Sequence, residues 1–510
     1  MKPSDNLRRV HDIEAKFPVE TWEINGIHIW PLIRFELKKY FFNRDHPDNL
    51  QGKTRKTSYY TQSCLNYLSG SLKHAYVSLL DSSHTASIKE QAQVVFLTYS
   101  VHKGLVKNKW FDRYCDPFVE CFRDQGISTL MLESELSAYI YRIPRFSDSI
   151  YIQQQIDLIR ARNLFSKKRP VDEKVCYFDT FLNYVLSSDM NDFSISLNTL
   201  RHQIGILLDF AAYFKKILAA IKPKIAFIAD YYSSLESLGF VIACRQSNIQ
   251  CADIQHGTVG AFHLAYSGWT KIPETGYELL PHIFWCWSKK DADEISKWSR
   301  EYPNGPVAFI GGNLWLNLWL DPKNQFVAYY DTLILNTKNN HANLKYILYT
   351  ADTYFGLPEW LTDVMRSTSD SLFWWVRMHP SQLEQKGVIK KLLQDRKVAN
   401  FDIDLASDLP MPALLRHTDV HVTATSSSIK EAALFSVPSV FTHPDAFEHH
   451  QQEVSSGMAL NACTFEALIT AIQTQLTKKH DLHAQNRSFE DNQAILKRFW
   501  DTLDLKPKVV

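Results

Sequence analysis

Two kinds of segment alternate along most of the chain. Short continuous apolar runs are followed by longer stretches whose apolar residues recur every three or four positions. The first read as strands buried on both faces, the second as helices that cover them, which is the pattern of βαβ units in a parallel sheet. Val94–Thr98 (VVFLT) is the first such run. A helix is expected over Trp110–Arg123, interrupted at Pro117, and Ser128–Leu132 returns as a strand. Ser194–Ile221 predicts a long helix that Pro223 stops. Strands are expected at Ile225–Ala229, Ala252–Gln255, Ile283–Trp287 and Val307–Ile310, with a helix over Ser234–Arg245.

The pattern then weakens over 321–344, which is rich in Asn, Asp and Lys and reads as a linker. A second series begins at Lys345–Thr350. It continues with strands at Leu372–Val376, Val420–Thr423 and Pro438–Thr442, and helices near Gln382–Asp395, Ile429–Phe435, Phe465–Thr477 and Phe489–Leu503. The expectation is an α/β chain with two Rossmann-like domains facing a central cleft. Residues 1–320 form the first domain, 345–485 the second, and 486–510 a helix packing back on the first. Residues 1–90 are less periodic, with a helix expected at Pro31–Phe42 and a basic loop at Lys53, Arg55 and Lys56.

Composition narrows this picture. At 510 residues the chain exceeds the roughly 250–300 that one core usually serves. The 56 Lys and Arg nearly cancel the 55 Asp and Glu, so no global field favours nucleic acid. The eight cysteines stand singly, without zinc or redox spacing, and read as free thiols in a reducing compartment. The first residues, MKPSDNLRRVHDIEAKF, lack the apolar core of a leader, and no apolar run reaches spanning length. A cytoplasmic protein is expected, with peripheral contact at the inner membrane face left open.

In open α/β sheets chemistry gathers just past the carboxyl ends of strands. Four segments sit there. In DVHVTATSSSIKEAALF, an expected strand ends at Thr423, and Thr425, Ser426, Ser427 and Ser428 fill the turn into a helix. Hydroxyls and helix-start N–H groups suit a phosphate. Ser428 and Glu431 also have capping-box spacing, and Glu431 is placed to meet a ribose hydroxyl. In FWWVRMHPSQ, Pro380 holds His379 in an extended turn after Arg377, a pair able to assist a departing phosphate. In CADIQHGTVG, a strand runs into Gln255, His256 and Gly257, so that His256 could meet a sugar or carboxylate. In KIAFIADYYSSLES, Asp230 follows a buried strand and Glu236 opens the next helix; each is a candidate base or a helix cap. Gly311, Gly312 and Asn313 form a turn read as hinge or cleft wall, and Asp352 with Thr350 follows the first strand of the second half. G-x-G-x-x-G, Walker A and G-x-S-x-G are absent, and no metal set is inferred.

The RMHP turn followed by TSSSxxEAAL resembles GT-B glycosyltransferases, above all the bacterial sialyltransferase and Kdo-transferase families with their HP and Ser-Ser motifs. The QHG turn resembles capsule polysaccharide proteins. The resemblance implies a metal-independent enzyme of surface polysaccharide synthesis (O-antigen or capsule) that needs no cofactor beyond a CMP-linked 2-keto acid sugar donor. Its acceptor would be a glycan or lipid-linked glycan. His379 would help CMP depart, Ser426, Ser427 and Ser428 would hold its phosphate, and Asp230 would deprotonate the acceptor. The acidic motif of the sialyltransferases is replaced by Asp230-Tyr231-Tyr232. CDP-glycerol-type and UDP-sugar transferases, a sugar-nucleotide 2-epimerase and a non-catalytic assembly protein stay open.

Overall fold

The computed structural model describes residues 3–45, 91–135, 142–165, 171–321, 323–338, 341, 343–352, 357–482 and 491–504. The Lys53–Lys56 loop and the ends of the 486–510 segment lie outside them.

A helix over Pro3–Lys16 leads into a hairpin of β1 (Glu23–Ile24) and β2 (Ile27–His28). Asn25 and Gly26 turn it at φ of 50° and 73°, the left-handed pair a tight hairpin needs. The helix Trp30–Asp45 follows. β3 (Val94–Tyr99) then starts the first large sheet.

The expected helix from Trp110 does not form. β4 (Lys103–Val106) pairs antiparallel with β5 (Lys109–Asp112) instead. The helix starts only at Asp116 and runs to Asp124, with Pro117 in its first turn. Proline there loses no hydrogen bond, so it opens this helix rather than interrupting one. β6 (Thr129–Ser134) and the short edge strand β7 (Ser149–Tyr151) follow, and β8 (Glu173–Lys174) pairs with β1. The helix Leu197–Ile221 is capped by Ser196, whose Oγ accepts from the Thr199 N–H. β9 (Ile225–Ala229), β10 (Gln250–Ile254), β11 (Ile283–Cys286) and β12 (Val307–Ile310) complete a seven-stranded sheet of order β12-β11-β10-β9-β3-β6-β7. All its pairings are parallel. β3 and β9 are buried at every position, which is why they read as unbroken apolar runs.

The second sheet is six-stranded and also all parallel: β13 (Lys345–Thr350), β14 (Leu372–Arg377), β15 (Phe401–Asp402), β16 (Val420–Thr423), β17 (Ser439–Phe441) and β18 (Ala459–Asn461). Its order is β15-β14-β13-β16-β17-β18. Both sheets therefore reverse strand order beside their first strand, at β3/β9 and at β13/β16. Those switch points open a crevice for ligands in each.

The segment between the sheets is largely helical rather than loose. Gln325–Lys338 is a helix whose Phe326, Val327, Tyr330 and Ile334 share one core with Trp315 and Trp319 from the first half and Tyr346 and Trp375 from the second. The final helix, Asn492–Asp504, returns to the first half. Phe499 packs on Trp285 and Phe227 (ring centroids 5.2 and 5.7 Å) and Trp500 on Phe122 (5.7 Å). The ion pair Lys430–Asp291 (2.8 Å) also joins the halves.

Candidate active site between the two sheets

In the second half, the chain emerges from β14 at Arg377 and turns through His379 and Pro380 into a 3-10 helix over Pro380–Gln385. Arg377 Nη1 donates to the carbonyls of Ala406 (2.7 Å) and Leu409 (2.5 Å). Its Nε and Nη2 make no hydrogen bond among the described residues, so half of its fork stays available. Burial, with Arg113 nearby, lowers its pKa to about 10. Burial also lowers that of His379, against the pull of Asp352. At neutral pH His379 therefore offers an N–H donor rather than a full charge.

At the adjacent switch point, Thr425 Oγ1 donates to Asp352 Oδ2 (2.7 Å), tying the end of β16 to the end of β13. Thr425, Ser426 and Ser427 are half-buried. The helix that follows, Ser428–Leu434, has Ser427 at its N-cap and no side-chain cap bond. Its first N–H groups are used locally: Ser428 donates to Ser426 Oγ (3.2 Å) and Lys430 to the Ser427 carbonyl (3.0 Å). The capping box does not form. Glu431, its would-be partner, lies within the fields of Arg113 and Arg377 and accepts no hydrogen bond among the described residues; burial raises its pKa against those cations.

Facing this, the first half presents Asp230, at φ 67° directly after β9. A non-glycine residue in that region is strained, and such strain concentrates at functional positions. The backbone is braced from behind: the Tyr231 N–H donates to Asp253 Oδ1 (3.1 Å) and the Tyr266 hydroxyl to Oδ2 (2.9 Å). His256 Nε2 stands 3.6 Å from Asp230 Oδ1. Burial lowers the His256 pKa, and Asp230 opposes that. Gly257 borders open space, since a Cβ there would meet no atom within 4 Å.

Residues 102–114 link the two clusters. Tyr114 donates to the His256 carbonyl (2.9 Å) and lies within electrostatic range of both Glu431 and Asp230. Arg113 is anchored through Nε to the His102 carbonyl (3.1 Å), and its field reaches Arg377, His379 and Glu431. Sequence reasoning missed both residues. They lie in the stretch from Trp110 expected as helix, in the turn between β5 and the helix Asp116–Asp124, and no motif marks them.

Four predicted residues are engaged elsewhere. Glu236, buried, accepts from Arg160 Nη2 on both oxygens (2.7 and 2.8 Å), a structural ion pair rather than a base or cleft group. Gln255 bridges the Gly257 carbonyl (2.9 Å) and the Trp287 N–H (2.7 Å), fixing the QHG turn. Ser428 turns its hydroxyl inward to Thr350 (3.0 Å) and His421 (3.2 Å). Gly312, at φ 70°, takes the Trp285 indole N–H on its carbonyl (2.9 Å), and a Cβ on Gly311 would sit 2.0 Å from that ring. The Gly-Gly turn thus accommodates Trp285. Among the described residues no group of three or more His, Cys, Asp or Glu side chains converges as a metal ion would require.

Two all-parallel sheets of Rossmann strand order, one in each half, with a crevice between their switch points, define the GT-B class of fold. No protein-family model and no curated protein matches the chain. Among solved structures, Neisseria meningitidis UDP-GlcNAc 2-epimerase bound to UDP-GlcNAc aligns at 13% identity over 81% of this chain and 99% of its own, with a TM-score of 0.48. The S. aureus MnaA–UDP structure aligns at 12% over 82% and 99%, with a TM-score of 0.47. The wall teichoic acid polymerase TagF aligns at 11% over 86% and 97%, with a TM-score of 0.46.

Proposed function

We propose that the protein is a nucleotide-sugar-dependent glycosyltransferase. The second half holds the donor, and the first half presents an acceptor hydroxyl to Asp230. The supporting observation is the opposition of two unlike clusters across one crevice, Arg377, His379 and Thr425 on one side and Asp230 with His256 on the other, with Arg113 and Tyr114 between them. Glycosyl transfer asks for little covalent chemistry from the protein. It needs charge stabilisation at the leaving phosphate and a base at the incoming oxygen.

In this reading Arg377 and Arg113 draw charge off the leaving nucleotide, and His379 donates an N–H to its phosphate oxygen. The hydroxyls of Ser426 and Ser427 hold that phosphate, while Glu431 meets the ribose. Ser428 acts indirectly, by tying the helix to Thr350. Asp230 takes the acceptor proton, and His256 holds the carboxylate in place. The HP and Ser-Ser pattern favours a CMP-linked 2-keto acid sugar and an acceptor in surface polysaccharide. Thermal shift with CMP, CDP and UDP tests this. Stabilisation by CMP above the others supports the keto-acid branch, and stabilisation by UDP or CDP moves the donor to those classes. The transferase reading is overturned if CMP-, CDP- and UDP-linked donors release no nucleotide with any glycan acceptor. Turnover without an acceptor would indicate an epimerase.

A further inference from the structure

The helix Trp30–Asp45 carries two cations one turn apart, Arg34 and Lys38, on the same face. Arg34 is fully buried and its donors are occupied. It donates to Glu14 (2.7 Å) and to the carbonyls of Leu264 (3.1 Å) and Ser267 (2.7 Å), and stacks over Trp269 at 4.1 Å. These bonds fix the position of the helix against the first half. Lys38 has no such partners. Its ammonium lies 4.6 Å from the centre of the Tyr232 ring and 3.5 Å from the Tyr232 hydroxyl. Among the described residues no carboxylate comes within 4 Å of it.

Lys38 is half-buried, and an ammonium partly withdrawn from water without an anion is unfavourable. Burial lowers the pKa of Lys38, while Asp230 opposes that from a distance. Nearby polar atoms are also unsatisfied. Asp230 Oδ1 and His256 Nδ1 are buried without a hydrogen bond, and so is Nδ1 of His102, whose ring packs against Tyr114. The crevice beside Asp230 thus has on one side a cation that no carboxylate of the described residues meets, and on the other a carboxylate whose Oδ1 makes no hydrogen bond.

We propose that Lys38 receives an anionic group of the acceptor, a phosphate or a carboxylate, and thereby decides which acceptor hydroxyl meets Asp230. This rests on the transferase reading of the crevice. The two opposite charges set a polarity: the anionic end of the acceptor lies over Tyr232, and the hydroxyl end points to Asp230, which repels the anion. The N-terminal segment, which matches no motif, supplies the specificity element.

The test uses the full chain and calorimetric titration with glycerol 3-phosphate, glucuronate and glycerol. One or both anions should bind, separating the phosphate from the carboxylate source, and glycerol should not. Lys38→Ala and Lys38→Met should weaken that binding about tenfold or more, while Lys38→Arg retains it to within a few-fold. The Met variant keeps the stem over Tyr232 should Ala loosen the helix, and melting temperature reports folding. The proposal is overturned if neither anion binds the folded protein, or if binding is unchanged in Lys38→Met. Nucleotide thermal shifts on the same variants separate the two claims. Anion failure with nucleotide binding intact defeats this inference alone, whereas Lys38-dependent anion binding without any nucleotide response defeats the transferase reading alone.

Discussion

Both halves use the same strand order, yet their switch points carry different chemistry. The second half ends its strands in hydroxyls, an arginine and an uncharged imidazole, around a threonine that locks two strand ends together through Asp352. The first half ends its strands in a strained carboxylate, a histidine and a ring of tyrosines. A topology fixes where a site lies; the residues past the strand ends fix its sign. One side is suited to gather negative charge and the other to take up a proton.

The largest effect expected from breaking this division is on turnover. Asp230→Asn should lower transfer by roughly a hundredfold or more, with the nucleotide thermal shift unchanged. His379→Ala should lower nucleotide release by a similar factor without altering Lys38-dependent anion binding. Steady-state rates and the two binding assays check both. If Asp230→Asn instead abolished nucleotide binding, the two sides would not be separate.

Acid stability comes next, and each half contributes a buried histidine whose pKa is strongly lowered. Burial holds both His421 and His102 down to about 3. Between the ordinary value near 6.5 and about 3, the unfolded chain binds protons that the folded chain refuses. Stability is therefore present above about 6.5 and falls with pH, by about 1.4 kcal/mol per unit for each histidine. Urea midpoints at neutral and acid pH, with His421→Gln and His102→Gln, should each show a flatter slope. A smaller effect is expected for Thr425→Val, which removes the bond to Asp352: nucleotide affinity should fall about tenfold by titration, at about 1 kcal/mol in stability. Replacing both partners of the cross-half ion pair, Lys430→Met with Asp291→Asn, leaves no buried charge unpaired and should cost about 1 kcal/mol or less in urea denaturation.

Much of the fold was legible because buried parallel strands leave continuous apolar runs. Ile225–Ala229, Lys345–Thr350 and Val420–Thr423 appear with their predicted ends; the edge strand Val307–Ile310 does so as well, its apolar run surviving although its two end residues are exposed. Edge strands β7 and β18, three residues each, leave no such trace. The hairpin at 103–112 was hidden because Trp110 and Phe111 fit either period. At the site, residue types at strand ends were readable, but side-chain direction was not. Ser428 sits in the right turn and points inward, and Glu236 sits in the right helix and pairs with Arg160. Lys38 lies far from its site in sequence, so only packing reveals it.

The chain crosses between the halves twice, through the helix Gln325–Lys338 and again between Leu482 and Asn492. Each crossing ends in packing rather than in a bare connection. The helix Gln325–Lys338 shares one core with Trp315 of the first half and Trp375 of the second, and beyond the second crossing Phe499 lies on Trp285. The seam between the halves is thus built from the same close-packed aromatic side chains as the cores, so a lost ring at the seam is felt in both halves at once.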